Sequence, residues 1–114
     1  MNKNYALVTG GTAGIGLDIA HELASRGHNI LLTARREDRL KDIVQQLMSD
    51  YGVHADYIAA DLSEPEAPGI IFNFCDSRQY TVNILVNNAG YSINKKFHET
   101  GEDEEEKFLR VLGT

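Results

Sequence analysis

The sequence predicts an α/β fold: a truncated, doubly wound parallel sheet of about four strands in the order 3-2-1-4, with flanking helices. Short apolar segments alternate with amphipathic ones along the chain, and the first apolar segment runs straight into three spaced glycines, Gly10, Gly14 and Gly16. Strands separated by helices run parallel, with right-handed crossovers and helices on both faces of the sheet.

Taken in order, Tyr5 to Thr9 is the first strand. Gly14 to Arg26 is a helix with Ile15, Ile19, Ala20 and Leu23 on one face and Gly27 as its stop. Asn29 to Ala34 (NILLTA) is the second strand. Glu37 to Tyr51 is the clearest helix, because Leu40, Ile43, Val44, Leu47, Met48 and Tyr51 follow the i, i+3, i+4 spacing and Gly52 ends it. His54 to Ala60 is a third strand. Ile70 to Tyr80 carries the body of the next helix, since Pro65 and Pro68 fit only its first turn. Val82 to Val86 (VNILV) is the fourth strand, Asn87-Asn88-Ala89-Gly90 follows it, and Thr100 caps an acidic helix ending near Leu112. No repeat or linker interrupts the pattern, so residues 1–114 read as a single domain.

Composition narrows the function. Apolar residues at 42% and charged ones at 25% are ordinary for a soluble globular domain. A net charge of -6, with no basic run to match Glu102 to Glu106, argues against nucleic acid as a partner. No apolar stretch is long enough to span a bilayer, and the N-terminus lacks a signal-peptide core, so the expected setting is cytoplasmic. The single Cys75 sits in the apolar run IIFNFC and reads as a small core hydrophobe rather than a nucleophile. The acidic run suits a solvated helix N-terminus and carries no assigned function.

A strand, a glycine-rich turn and a helix start together make a phosphate site. Glycine permits the tight turn and a close approach of the backbone, and the helix start offers unpaired N–H groups with partial positive charge. A P-loop is excluded, because no Lys-Ser or Lys-Thr follows the glycines. At the end of the second strand a dinucleotide site that takes NAD carries a carboxylate for the ribose hydroxyls, whereas one that takes NADP carries arginine for the 2′-phosphate. Here Arg35 and Arg36 stand there, ahead of the first acid, Glu37. NADP is therefore favoured over NAD. The competing reading is a solvated arginine pair at a helix start, where cations oppose the macrodipole.

These residues resemble the short-chain dehydrogenase/reductase family, of the classical type. Thr9-Gly10-Gly11-Thr12-Ala13-Gly14-Ile15-Gly16 matches its TGxxxGIG cofactor turn, Asp61 its adenine-contacting aspartate, and Asn87-Asn88-Ala89-Gly90 its NNAG motif after strand 4. The resemblance implies a Rossmann-like NADP-binding domain. Gly10, Thr12, Gly14, Ile15 and Gly16 would face the pyrophosphate and nicotinamide, and Arg35 and Arg36 the 2′-phosphate. Asp61 and Leu62 would meet the adenine, and Asn88, Ala89 and Gly90 the inner ribose. Asp61 also reads as a simple turn or helix-cap acid.

The family's chemistry is hydride transfer between nicotinamide and a carbonyl or alcohol carbon, and its Ser and Tyr-x-x-x-Lys lie beyond a fifth strand. Tyr91 and Lys95 have that spacing but follow NNAG in a loop, where i and i+4 share no helix face. Val111 runs directly into Leu112-Gly113, so the family's relay asparagine is missing as well. The expectation is the cofactor-binding half of an oxidoreductase, with no catalytic residues of its own and little turnover. Two alternatives stand beside it. One is a non-catalytic NADP(H)-binding module whose apolar edge strand, Val82 to Val86, pairs with a second copy or a partner chain. The other is an inactive gene fragment.

Overall fold

The computed structural model describes residues 3–10, 12 and 14–87. They form β1 (Asn4–Thr9), α1 (Gly14–Ser25), β2 (Asn29–Ala34), α2 (Glu37–Tyr51), β3 (Ala55–Ala59), α3 (Ala67–Arg78) and β4 (Thr81–Asn87). The strands pair in the order β3-β2-β1-β4, every pairing parallel. The acidic helix expected after Thr100 lies outside the described residues.

Alternation along β1 and β2 divides the interior into two cores, one on each face of the sheet. Tyr5, Leu7 and Leu31 point to the α3 side, where they meet Leu62, Ala67, Ile71, Cys75 and Val82. Ala6, Val8, Ile30 and Leu32 point to the other side, against α1 and α2. Strands buried on both faces read as continuous apolar runs, and that is the form of the central segments YALV and NILL.

The buried face of α1 differs from the expected one. Its buried residues are Gly16, Ala20 and Ala24, while Ile15 is 69% exposed and Ile19 and Leu23 are half-buried. The i, i+4 row of small residues lets the helix backbone lie close on the sheet, so the larger side chains flank the contact instead of filling it. The helix stops as expected, at Gly27 (φ 90°), whose N–H bonds to Ala24 O. In α2 the expected row holds: Leu40, Ile43, Val44 and Leu47 are buried, with Met48 at its rim. Gly52 closes α2 in the left-handed region, its N–H donating to Met48 O at 3.0 Å.

β4 carries an irregularity that the sequence does not announce. Tyr5 pairs with Val82 but Ala6 pairs with Ile84, so Asn83 is an extra residue facing no partner on β1. This bulge changes the phase of the strand. Val82 joins the α3-side core, whereas Ile84 and Val86 turn to the α1/α2 side. Beyond the bulge Asn87 stands opposite Thr9, whose hydroxyl approaches Asn87 Oδ1 (3.2 Å) and Val86 O (3.3 Å).

α3 starts earlier than Ile70, because Ala67 and Pro68 occupy its first turn, where a missing N–H costs nothing. It ends on Gln79 (φ 58°), a non-glycine residue in the left-handed region. Just beyond it Tyr80 stacks on Tyr5, ring centroids 4.1 Å apart, and its hydroxyl donates to Asp56 Oδ2 at 2.9 Å. Cys75 is fully buried, and that burial pushes its thiol up to about 11 from the ordinary 9.0, with Asp56 adding to the rise and Arg78 opposing it. Burial likewise raises the Tyr80 phenol, helped by its bonds to Tyr5 and Asp56.

Two stability predictions follow from these sites. Gln79→Gly removes left-handed strain of roughly 1 kcal/mol and should raise the urea midpoint, offset in part by glycine's greater unfolded-state entropy. No rise, or a fall, would show that the cap is unstrained. The pH effect runs the other way. Above pH 9.0 the unfolded chain releases its thiol proton while the folded chain retains it. The folded state then binds more protons, and stability should decline as pH rises toward about 11. Urea titrations across that range should show this, with a shallower decline in Cys75→Ala.

Candidate functional site

A parallel sheet delivers the carboxyl ends of its strands to one edge, and there the loops after β1, β2 and β3 enclose a cleft of about 440 Å³. It is lined by Gly10 and Thr12 from the glycine turn, by Thr33 to Arg36 from the end of β2, and by Ala60 to Ser63 after β3. Two backbone hydrogen bonds hold these loops together. Gly10 N–H donates to Thr33 O and Ala60 N–H to Ala34 O, each at 2.9 Å. The loops after β1 and β3 are thus both tied to the end of β2.

The glycines serve different ends. Gly10 (φ 66°) and Gly14 (φ 60°) are both left-handed, a conformation that turns the chain from β1 into α1. Among the described residues, a Cβ placed on Gly14 would meet nothing within 4 Å. Gly16 is buried in the α1–sheet contact. The first turn of α1 holds no acidic residue, which leaves its N–H groups and partial positive charge uncompensated from within the helix.

At the end of β2, Arg35 and Arg36 are both exposed and line the cleft. Arg36 is the residue that precedes the first turn of α2, and its Nη2 lies 3.5 Å from Asp38 Oδ2. That pair is about 70% exposed on both sides, and such surface pairs contribute only about 0–1 kcal/mol. Arg35 makes no ion pair among the described residues.

After β3, Asp61 Oδ1 accepts hydrogen bonds from Ser63 N–H (2.9 Å) and Ser63 Oγ–H (2.7 Å), and Asp61 O accepts from Glu64 N–H at 2.9 Å. Asp61 therefore shapes its own turn while lining the cleft. Leu62 anchors the same loop by burying its side chain in the α3-side core.

Of the residues that the sequence singles out, the structure brings Gly10, Thr12, Arg35, Arg36, Asp61 and Leu62 to this one cleft. Gly14, Ile15 and Gly16 lie beside it at the start of α1. Asn88, Ala89 and Gly90 fall outside the described residues, as do Tyr91 and Lys95. Among the described residues no cluster of His, Cys, Asp and Glu has the form of a metal site, and no helix is long and apolar enough to cross a membrane.

Two residues escaped the sequence reading. Thr33 is fully buried, and its hydroxyl has no hydrogen-bond partner among the described residues. A buried hydroxyl left unpaired costs about 1–3 kcal/mol, so its place in the cleft wall suits a polar occupant or a water. Its signal was a threonine directly after the apolar run Ile30-Leu31-Leu32. The second is Arg39, whose Nη2 donates to Thr12 O at 2.8 Å across 27 residues of chain. Only its position in the first turn of a helix, where a cation is out of place, marks it in the sequence.

An anionic, polar ligand fits this cleft. A dinucleotide supplies phosphates for the helix start and arginines, and polar edges for the Thr33 hydroxyl.

Comparison with known proteins is consistent with that fit. A family profile described as short chain dehydrogenase matches residues 4–112. The very-long-chain 3-oxoacyl-CoA reductase of Eremothecium gossypii is 38% identical over 114 residues, which cover 96% of this chain and 32% of that protein. L-xylo-3-hexulose reductase of Hypocrea jecorina is 33% identical over 123 residues, 93% of this chain and 40% of that protein. Among solved structures, L-sorbose reductase of Gluconobacter frateurii, complexed with NADPH and L-sorbose, gives a TM-score of 0.72 at 33% identity, covering 98% of this chain and 42% of that one. The chain thus spans less than half the length of these relatives.

Gly14→Ala tests the turn without reference to any ligand. Among the described residues the new methyl meets no atom, so its cost is conformational, roughly 1–2 kcal/mol for a left-handed alanine. Urea unfolding should show that loss. An unchanged midpoint would mean that the turn relaxes to negative φ at no cost.

Proposed function

The chain belongs to the short-chain dehydrogenase family, and on that premise we propose that it is the NADP(H)-binding portion of an oxidoreductase. The observation that carries the reading is Arg35: an exposed guanidinium at the end of β2, in the cleft wall, without an acidic partner among the described residues. Guanidinium pairs with a phosphate through two parallel, charge-assisted hydrogen bonds, and a 2′-phosphate is what distinguishes NADP from NAD. Arg36, held only by its exposed contact with Asp38, provides a second cation beside it. The NADPH bound to the Gluconobacter relative supports the same choice of cofactor.

In this reading Gly10, Thr12, Gly14, Ile15 and Gly16 would hold the pyrophosphate and nicotinamide side of the cofactor at the start of α1. The adenine lies against Asp61 and Leu62, and Asn88, Ala89 and Gly90 meet the inner ribose. The Thr33 hydroxyl faces the ligand or a water that the ligand retains. The bound nicotinamide supplies the hydride-transfer chemistry, to or from a carbonyl or alcohol carbon. The residues named here would bind and orient it.

Calorimetric titration of the wild-type chain and Arg35→Asp with NADPH and NADH tests the proposal. Loss of charge-assisted bonds to the phosphate should weaken NADPH binding by roughly 10- to 100-fold and leave NADH within a fewfold. Equal loss for both nucleotides would overturn the assignment of the 2′-phosphate to Arg35.

A further inference from the structure

We infer that Arg39 is a positioning residue of the nucleotide cleft, clasping the glycine turn to α2 so that the turn is formed before any ligand arrives; the inference rests on the function proposed above. From outside its own strand and helix, the turn is held at Gly10 by the bond to Thr33 O and at Thr12 by the Arg39 guanidinium, 2.8 Å from Thr12 O. The first bond fixes the turn to β2 and the second to α2. Both bonds act on the turn that would face a pyrophosphate.

The three arginines at this edge divide their tasks by their partners. Arg35 makes no ion pair among the described residues, and Arg36 meets the exposed carboxylate of Asp38. Arg39 instead donates to a main-chain carbonyl. It stands in the first turn of α2, behind Glu37 and Asp38. The dipole there disfavours a cation, and Arg39 makes no ion pair among the described residues; its contact is the one with Thr12. A guanidinium suits this role, being charged at every working pH and carrying a planar fork of donors at the end of a long stem.

A clasp acts on affinity by preorganisation. A turn already formed spares the ligand the ordering of its backbone. Both NADPH and NADH place their pyrophosphate on that turn, so the clasp serves them equally. A direct ligand of the 2′-phosphate would serve NADPH alone.

The test compares the wild-type chain with Arg39→Ala and Arg39→Lys in two ways. Without ligand, ¹⁵N relaxation of the Thr12 and Gly14 amides should report greater mobility in Arg39→Ala, restored in Arg39→Lys, whose ammonium can still donate to a carbonyl. Amides of Leu31 and Leu47 in the cores should not change. With ligand, calorimetry should show NADPH and NADH both weakened in Arg39→Ala by about tenfold, the equivalent of one charged hydrogen bond, with their ratio preserved. Unchanged mobility at Thr12 and Gly14 would overturn the clasp, and a loss confined to NADPH would move Arg39 among the ligands of the 2′-phosphate instead. A wild-type chain that binds neither nucleotide would overturn the proposed function, a failure distinct from the first because relaxation needs no ligand.

Discussion

Parallel pairing of β1 with β2 and of β2 with β3 is the constraint from which the remaining features descend. Because neighbouring strands run the same way, each needs a helix to return the chain, and every strand ends at the same edge. Gly10, Arg35 and Asp61, far apart in sequence, are neighbours there for that reason alone. The Gly10–Thr33 and Ala60–Ala34 hydrogen bonds extend the pairing past the last strand residues and turn three loop ends into one wall. The two cores, one on each face, give this edge its rigidity.

Where chemistry punctuates the chain, the sequence was legible. Gly27 and Gly52 both adopt the left-handed stops they signal, and β2 and α2 have the bounds their patterns indicate. Alternation of strands and helices pointed to a doubly wound sheet, and the order β3-β2-β1-β4 is the one that arrangement predicts. The α1 face was misjudged because size was weighed as burial, whereas close packing on a sheet favours Gly16, Ala20 and Ala24. The end of α3 was obscure because Gln79 is not a residue that signals a left-handed cap. At the site, residues visible through local motifs reached the cleft. Thr33 and Arg39 did not stand out, since an orphaned hydroxyl and a contact across 27 residues exist only after folding.

The electrostatics of the edge run against those of the whole. The chain carries a net charge of -6, yet Arg35, Arg36 and Arg39 gather within five residues beside an α1 start that has no acid in its first turn. A local positive field within an acidic molecule draws small anions to one place while the surrounding surface repels them. Glu37 and Asp38 temper that field and suit the start of α2, where their charge belongs.

The bulge in β4 separates what a residue is from the fact that it is there. Asn83 is exposed and has no opposite number on β1, so many side chains would serve in its place. Its place in the chain decides which faces its neighbours take: Val82 and Ile84, two apart and destined in a regular strand for one face, stand on opposite faces because Asn83 is not counted in the pairing. Excise that position and the remaining residues already fall into unbroken register, Val82 on Tyr5, Ile84 on Ala6 and Asn87 on Thr9. Asn83 is thus a looped-out stitch: the fabric on either side is woven as though it were absent.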